Sequence, residues 1–280
     1  MVLAMKKKWV SKCVFAGIFG FVFPVMGYAE DSPTAREIVQ HCDYKDAGED
    51  QRTTLTVILR DKDKNEKKSV YARLWKDFEG KDKIADKMIL FTEFPPDAKG
   101  TAFMRWGFVK NKGKNADQWV YLPVTRTIRR VTIRDPGESF LGSDLTHADI
   151  SGWGIDEDEH TLLKTAKLKS GQTGYIIEHK PKENDPLYSK RVSWYMRPAS
   201  GDWGQCSKIK LDYYDKKGHL LKKQTIKWQQ VDGAWLWKSV HVENVQTFHV
   251  SEFEVTKPEV DVGLRDNLFV DRTLKKGYRP

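Results

Sequence analysis

Seven histidines and one dense acidic run are the places where this chain could carry chemistry. A hydrolase needs a Ser, Cys or Thr held in a strained turn beside a histidine base. Gly142-Ser143-Asp144 comes nearest, but it lacks the second glycine of G-x-S-x-G. A metal needs ligands that converge. Asp156–His160 (DEDEH) is the densest cluster, yet its consecutive acids do not follow a calcium-loop spacing, and it reads as a solvated acidic loop. His41-Cys42-Asp43 reads as a helix end. His241 and His249 share a face only if one strand runs unbroken between them, and they read as strand-edge residues. No P-loop and no G-x-G-x-x-G is present to cradle a phosphate. Arg105-Trp106 and the cluster Arg126, Arg129, Arg130 and Arg134 mix basic and aromatic groups as a single-strand nucleic-acid surface does. An exported protein rarely meets that substrate, so these arginines fit a solvent face, an anionic headgroup or an acidic partner better. The expectation is a protein that is not an enzyme, with no cofactor, no metal and no nucleic-acid partner.

The elements that would position such groups begin with an export signal. Lys6, Lys7, Lys8 and Lys12 precede an apolar run from Cys13 to Val25, and Gly27-Tyr28-Ala29 supplies the small residues of a cleavage site. Residues 1–29 are therefore expected to be a signal peptide cut after Ala29, leaving a single domain over 30–280 in the periplasm. The formal net charge of +9 includes those four lysines and no acid from the leader, so the mature chain is only mildly basic. Two cysteines remain, Cys42 and Cys206. In an oxidising compartment they either pair or stay as two buried thiols, and no zinc spacing surrounds them.

After the leader, Thr34 and Glu37 form a capping box, and Ala35, Ile38, Val39 and Cys42 fall on one helical face, which predicts a short amphipathic helix over 34–43. Alternation then dominates. Leu55, Val57 and Leu59 share one face of a strand, and Asp232-Gly233 marks a hairpin. In Ser69–Phe78, Tyr71, Arg73 and Trp75 fall together on one face, unlike the clean lipid-facing band of an outer-membrane barrel. No βαβ alternation appears, so the fold class is mainly β, a mostly antiparallel sheet of about eleven strands with short helices. Ser143 is placed as the cap of a short helix carrying Leu145, Ala148 and Ile150, and Asp261–Thr273 as a terminal segment packing through Leu264, Leu268 and Phe269. The twelve per cent of aromatic residues suits either a closed sandwich core or a half-open barrel with a lined cavity.

Several blocks resemble the outer-membrane lipoprotein-sorting (LolA-like) family, in particular its periplasmic branch associated with RND-type exporters. They are Pro96–Phe103, Asp117–Pro123 (DQWVYLP), Arg129-Arg130-Val131 and Ser139–Asp144 (SFLGSD) with Asp149-Ile150. Ala35–Val39, Lys190–Trp194 and Asp266–Val270 match as well. Leu145 and His147 stand where the family usually has an aromatic pair. The resemblance implies a single curved antiparallel sheet, a half-open barrel closed by short helices acting as a lid, that shelters acyl chains of a lipid or lipoprotein between membranes. On that reading the cavity or lid residues are expected to be Ile38, Val39, Val57, Leu59, Leu74, Phe103, Trp119, Tyr121, Phe140, Leu141, Leu145 and Trp194. The 34–43 helix and Phe140–Ile150 would form the lid. The expected partners are lipid or lipoprotein acyl chains and an RND-type exporter, with the chain itself a monomer. The alternative is an adaptor that docks the exporter and has no ligand of its own.

Overall fold

The computed structural model describes residues 32–109, 116–131 and 137–277. The leader with its cleavage site, most of the 111–116 turn, and Arg134 lie outside those residues. The described chain opens with α1 (Ala35–Asp43), capped as the sequence predicts: Thr34 Oγ1 accepts from the Glu37 amide at 3.2 Å, and Glu37 Oε2 accepts from the Thr34 amide at 2.8 Å.

A first meander follows, made of β1 (Asp50–Arg60), β2 (Glu66–Asp77), β3 (Ile84–Phe94), β4 (Ala102–Phe108), β5 (Asp117–Leu122) and β6 (Thr127–Val131). A crossover then carries a 3-10 turn at Phe140–Gly142 and α2 (His147–Ser151). A second meander contains β7 (Asp158–Lys167), β8 (Thr173–Pro181), β9 (Lys190–Arg197), β10 (Ser207–Tyr214), β11 (Leu220–Val231), β12 (Ala234–Asn244) and β13 (Val250–Val260), and α3 (Asp271–Lys276) comes last. The order across the sheet is β6-β5-β4-β3-β2-β1-β13-β12-β11-β10-β9-β8-β7, antiparallel throughout. The thirteen strands exceed the about eleven read from alternation. Polar runs such as Leu220–Val231 show a single inward face only once their neighbours are in place.

The two meanders are sewn together by β1 and β13, the first and last strands of the chain. Their far ends, β6 and β7, are the two free edges of an unclosed, curved sheet. Since β6 and β7 are consecutive in the chain but lie at opposite edges, the segment between them must traverse the sheet. It crosses the face that carries Val57, Leu90, Val242 and Phe253, where Phe140 and Leu145 are buried. This is the concave face. Both edges carry charge against strand addition, with Arg129 and Arg130 on β6 and Lys164 and Lys167 on β7. Arg130 also pairs with Asp117 on β5.

A bulge in β12 matters for the inner face. Lys227 pairs with Ser239 but Trp228 pairs with Trp237, so Lys238 is the extra residue. That one-residue slip allows Trp235 and Trp237 to face inward along with Val240 and Val242. These four sit on one continuous strand.

The convex face has its own cover. Leu74, Ile89, Ala102, Met104 and Tyr121 pack under Leu264, Phe269 and Leu274, with Leu268 beside them. The terminal segment is tied down by Asp50, whose carboxylate accepts from the amides of Val262 at 2.9 Å and Leu264 at 2.7 Å.

Candidate functional site: a covered concave face

Two elements cover the concave face. At the β7–β10 end α1 packs Ile38 and Val39 against Tyr175, Ile177 and Tyr195. Cys42 and Cys206 are joined by a disulfide, which fixes the end of α1 to the loop before β10. Arg36 also reaches Asp156 at 2.6 Å. Across the middle runs the crossover. Phe140 inserts edge-on to Phe103 with ring centroids 6.0 Å apart, and His147 meets Phe140 edge-on at 5.7 Å.

Buried polar groups latch the crossover on both sides. Toward β4 and β5, Gln118 Nε2 donates to His147 Nδ1 at 3.0 Å and Arg105 Nη2 donates to Ser151 Oγ at 3.3 Å. Burial holds the His147 imidazole below its ordinary value. Toward β11 and β13 the anchors are stronger. Lys222 Nζ donates to Asp149 Oδ2 at 2.5 Å and to the Asp144 carbonyl at 2.7 Å. Tyr188 OH donates to Asp149 Oδ1 at 3.0 Å, and burial pushes its hydroxyl far above the usual phenol range, so it stays a donor. Asp144 Oδ2 accepts from Ser251 Oγ at 2.6 Å and lies 2.5 Å from His249 Nδ1.

The cap of α2 differs from the expected one. Thr146, not Ser143, begins the helix: its Oγ1 accepts from the Asp149 amide at 3.1 Å, and Asp149 Oδ2 accepts from the Thr146 amide at 2.7 Å. Ser143 instead closes the preceding turn by donating to the Phe140 carbonyl at 2.6 Å. Leu145 consequently points into the core, 1% exposed, before the helix starts.

Between this cover and the sheet lie two cavities. The first, of about 520 Å³, is bounded by Val39, Trp153, Ile155, Leu211, Ile226 and Trp228. The second, of about 300 Å³, is bounded by Leu55, Met88, Phe140, Phe253, Val255 and Trp228. Trp228 and Trp237 stand in the walls of both. Both volumes fall within the range of small-ligand sites.

The cavities are not lined by hydrocarbon alone. In the first, Arg191 bonds both oxygens of Asp158 at 2.6 Å and lies 3.6 Å from the Trp153 ring centroid. Burial pushes the Asp158 carboxyl up, with Arg191 opposing the shift. His160 Nε2 meets the Ile155 carbonyl at 2.8 Å and must donate there, so its Nδ1 accepts from His179 Nδ1 at 2.9 Å. His179 Nε2 then accepts from Ser193 Oγ at 2.8 Å. Burial holds His179 down at about 2, hence neutral. In the acidic run read from sequence as a solvated loop, Asp156 is exposed, but Asp158 and His160 turn inward. The signal for this was the alternation Asp158, His160, Leu162. Among the described residues, no group of three or more His, Cys, Asp or Glu side chains could hold a metal ion.

The structure divides the expected cavity and lid residues. Val57, Leu59, Phe103, Phe140, Leu141 and Leu145 meet in one cluster on the concave face, and Ile38 and Val39 lie in its neighbour under α1. Leu74, Trp119 and Tyr121 belong to the opposite face beneath the terminal segment, so they line neither cavity. Trp194 also points away from the cavities and is covered by Lys210 Nζ at 3.8 Å from its ring centroid. The reason is parity: each sits one residue off an inward position, namely Arg73, Gln118, Val120 and Ser193. Their large apolar or aromatic side chains suit a cavity wall, but alternation decides the face. Arg73, Arg105 and Arg191 also face inward, and no local signal shows it, because charge on a strand ordinarily faces solvent.

Comparison with known proteins gives the same architecture. A family model described as that of an uncharacterized protein matches residues 85–276. A solved domain from Vibrio parahaemolyticus, assigned as an outer membrane lipoprotein-sorting protein, superposes with a TM-score of 0.71 at 27% identity, covering 86% of this chain and 98% of that one. A DUF1329 family protein from Desulfovibrio piger superposes with a TM-score of 0.72 at 25% identity, over 86% and 97%. A LolA superfamily protein from Nitrosomonas europaea shares the fold, with a TM-score of 0.60 at 18% identity over 86% and 99%. Curated protein sequences give no match. The chain belongs to the family whose model matches residues 85–276, and it shares its architecture with a solved outer membrane lipoprotein-sorting domain and a LolA superfamily protein.

Proposed function

We propose that this protein is a non-enzymatic periplasmic carrier that shelters the acyl chains of a lipid or lipoprotein on its concave face. The observation that carries this reading is the pair of cavities, walled by Leu55, Met88, Ile226, Phe253 and the shared Trp228 and Trp237, beneath a cover built from α1 and the crossover. A methylene leaving water for such a surface gains about 0.8 kcal/mol. An acyl chain crossing an aqueous space therefore needs a lined groove of this kind. The relative named for lipoprotein sorting supports the same reading. Among the described residues no helix is long and apolar enough to cross a membrane. The reading includes a cleaved leader, a monomeric carrier, and the RND-type exporter suggested by the resemblance as its inner-membrane counterpart. A ligand-free adaptor would fill this face with its own side chains, which the two cavities argue against.

The test is titration with N-phenyl-1-naphthylamine, a neutral probe that fluoresces in apolar surroundings. The wild type should bind it saturably, and Val255→Trp, which fills the second cavity, should weaken binding about tenfold. Absence of saturable binding by the wild type would reject the carrier reading.

A further inference from the structure

The concave ends of β2, β3 and β4 place two guanidinium groups and one carboxylate around the second cavity. Arg105 Nη1 takes the carboxylate, bonding Asp86 Oδ1 at 2.7 Å. The pair lies against Gly107, where a Cβ would stand 2.5 Å from Asp86 Oδ2 and 2.7 Å from Arg105 Nη1, so a side chain there would make these groups shift. Arg73 is left without a counter-ion. Its Nη1 donates to Gln51 Oε1 at 2.8 Å, and Gln51 is held in turn by donating to the Ala47 carbonyl at 2.8 Å. Among the described residues no carboxylate lies within ion-pair distance of Arg73, and Asp86 acts on it only from a distance.

Burial lowers the Arg73 guanidinium to about 10, so it remains charged at neutral pH. An unpaired cation in an apolar cavity carries a desolvation cost that an anion would offset. The guanidinium fork matches two oxygens of one carboxylate or phosphate. The rest of the wall, Leu55, Met88, Phe253, Val255 and the shared tryptophans, is apolar.

We propose that the second cavity binds an anionic amphiphile, with Arg73 holding its carboxylate or phosphate oxygens and the acyl tail running over Leu55 and Val255 toward Trp228. This rests on the carrier reading and narrows it, since the diacylglycerol of a lipoprotein has no anionic head whereas a fatty acid or an acidic lipid has one. Arg105 stays with Asp86 as a neutral pair, which leaves Arg73 as the net positive charge on this wall.

The probes are cis-parinaric acid and its methyl ester, which share a tail and differ only in charge. The wild type should bind the acid about tenfold more tightly than the ester. In Arg73→Gln that preference should fall to about threefold or less, with ester affinity kept. Millimolar inorganic phosphate should not displace the acid, because the tail provides most of the affinity. Equal affinity of the wild type for acid and ester overturns the subsite while leaving the carrier reading intact. Displacement by phosphate overturns it too, by making the site one for a free anion. Binding of neither probe removes the carrier reading and the subsite together. The wild-type comparison decides the matter even if Arg73→Gln does not fold.

Discussion

Lys222 Nζ lies 2.5 Å from Asp149 Oδ2, with the two side chains 2% and 1% exposed, and this contact pins the crossover to the opposite half of the sheet. The same carboxylate caps α2 and accepts from Tyr188, so one residue joins the helix start, β11 and the β8–β9 loop. Breaking a buried pair leaves an uncompensated charge. Lys222→Met should therefore lower stability by about 3 to 5 kcal/mol in urea unfolding. The double variant Lys222→Met with Asp149→Asn should recover part of that loss. A loss in the double variant equal to the sum of the two single-variant losses would mean that the pair is not coupled.

The Cys42–Cys206 disulfide spans 164 residues and is the covalent tie between α1 and the second meander. Loops of this length give an entropic stabilisation of about 4 to 5 kcal/mol. Reduction, or Cys42→Ser with Cys206→Ser, should lower the melting temperature. It should also raise amide exchange in 35–43 well above that in β1. Unchanged protection of α1 would show that its apolar packing and its ion pairs hold the helix without the disulfide.

Burial keeps His179 neutral, with a folded value of about 2 against about 6.5 for the unfolded chain. Below the unfolded value the unfolded state binds a proton that the folded state refuses. Stability is thus full above about pH 6.5 and falls as the pH drops, by up to about 1.4 kcal/mol per unit for this group. His147, lowered by the same cause, adds to the slope. Unfolding midpoints between pH 7.5 and 5 should fall, and His179→Gln should flatten the curve.

Leu141 and Leu145 separate lid function from folding. Leu145 is 1% exposed among Val57, Phe253 and Phe140, so Leu145→Asp should unfold the crossover and cost several kcal/mol. Leu141 is only partly buried on the same cluster. Leu141→Asp should leave the melting temperature within a few degrees yet weaken binding of apolar probes. If its binding equals that of the wild type, the crossover is a fixed plug and not a lid.

Much of the fold is legible in the chain because its signals are local. The capping box at Thr34, the Asp232-Gly233 turn and the alternation through Leu55, Val57 and Leu59 each fix one element without help from the rest. The site is less legible because it depends on pairing across the sheet. Leu74 and Arg73 are neighbours in sequence and opposites in space, and only the register with Leu90 and Thr53 places Arg73 inside. The partners of Asp149, at Tyr188 and Lys222, lie 39 and 73 residues away. No local spacing reveals them. Ser143 and Thr146 are both competent caps, and the choice between them is made by the burial of Leu145.

The most direct test of the central claim is mass spectrometry of an organic extract of the protein purified from its native cells, beside Val255→Trp purified in the same way. The account predicts acyl lipid near one equivalent in the wild type, rich in species with a negative head, and far less in the variant. Wild-type protein that carries no acyl lipid, or the same lipid in equal amount on both proteins, would contradict it.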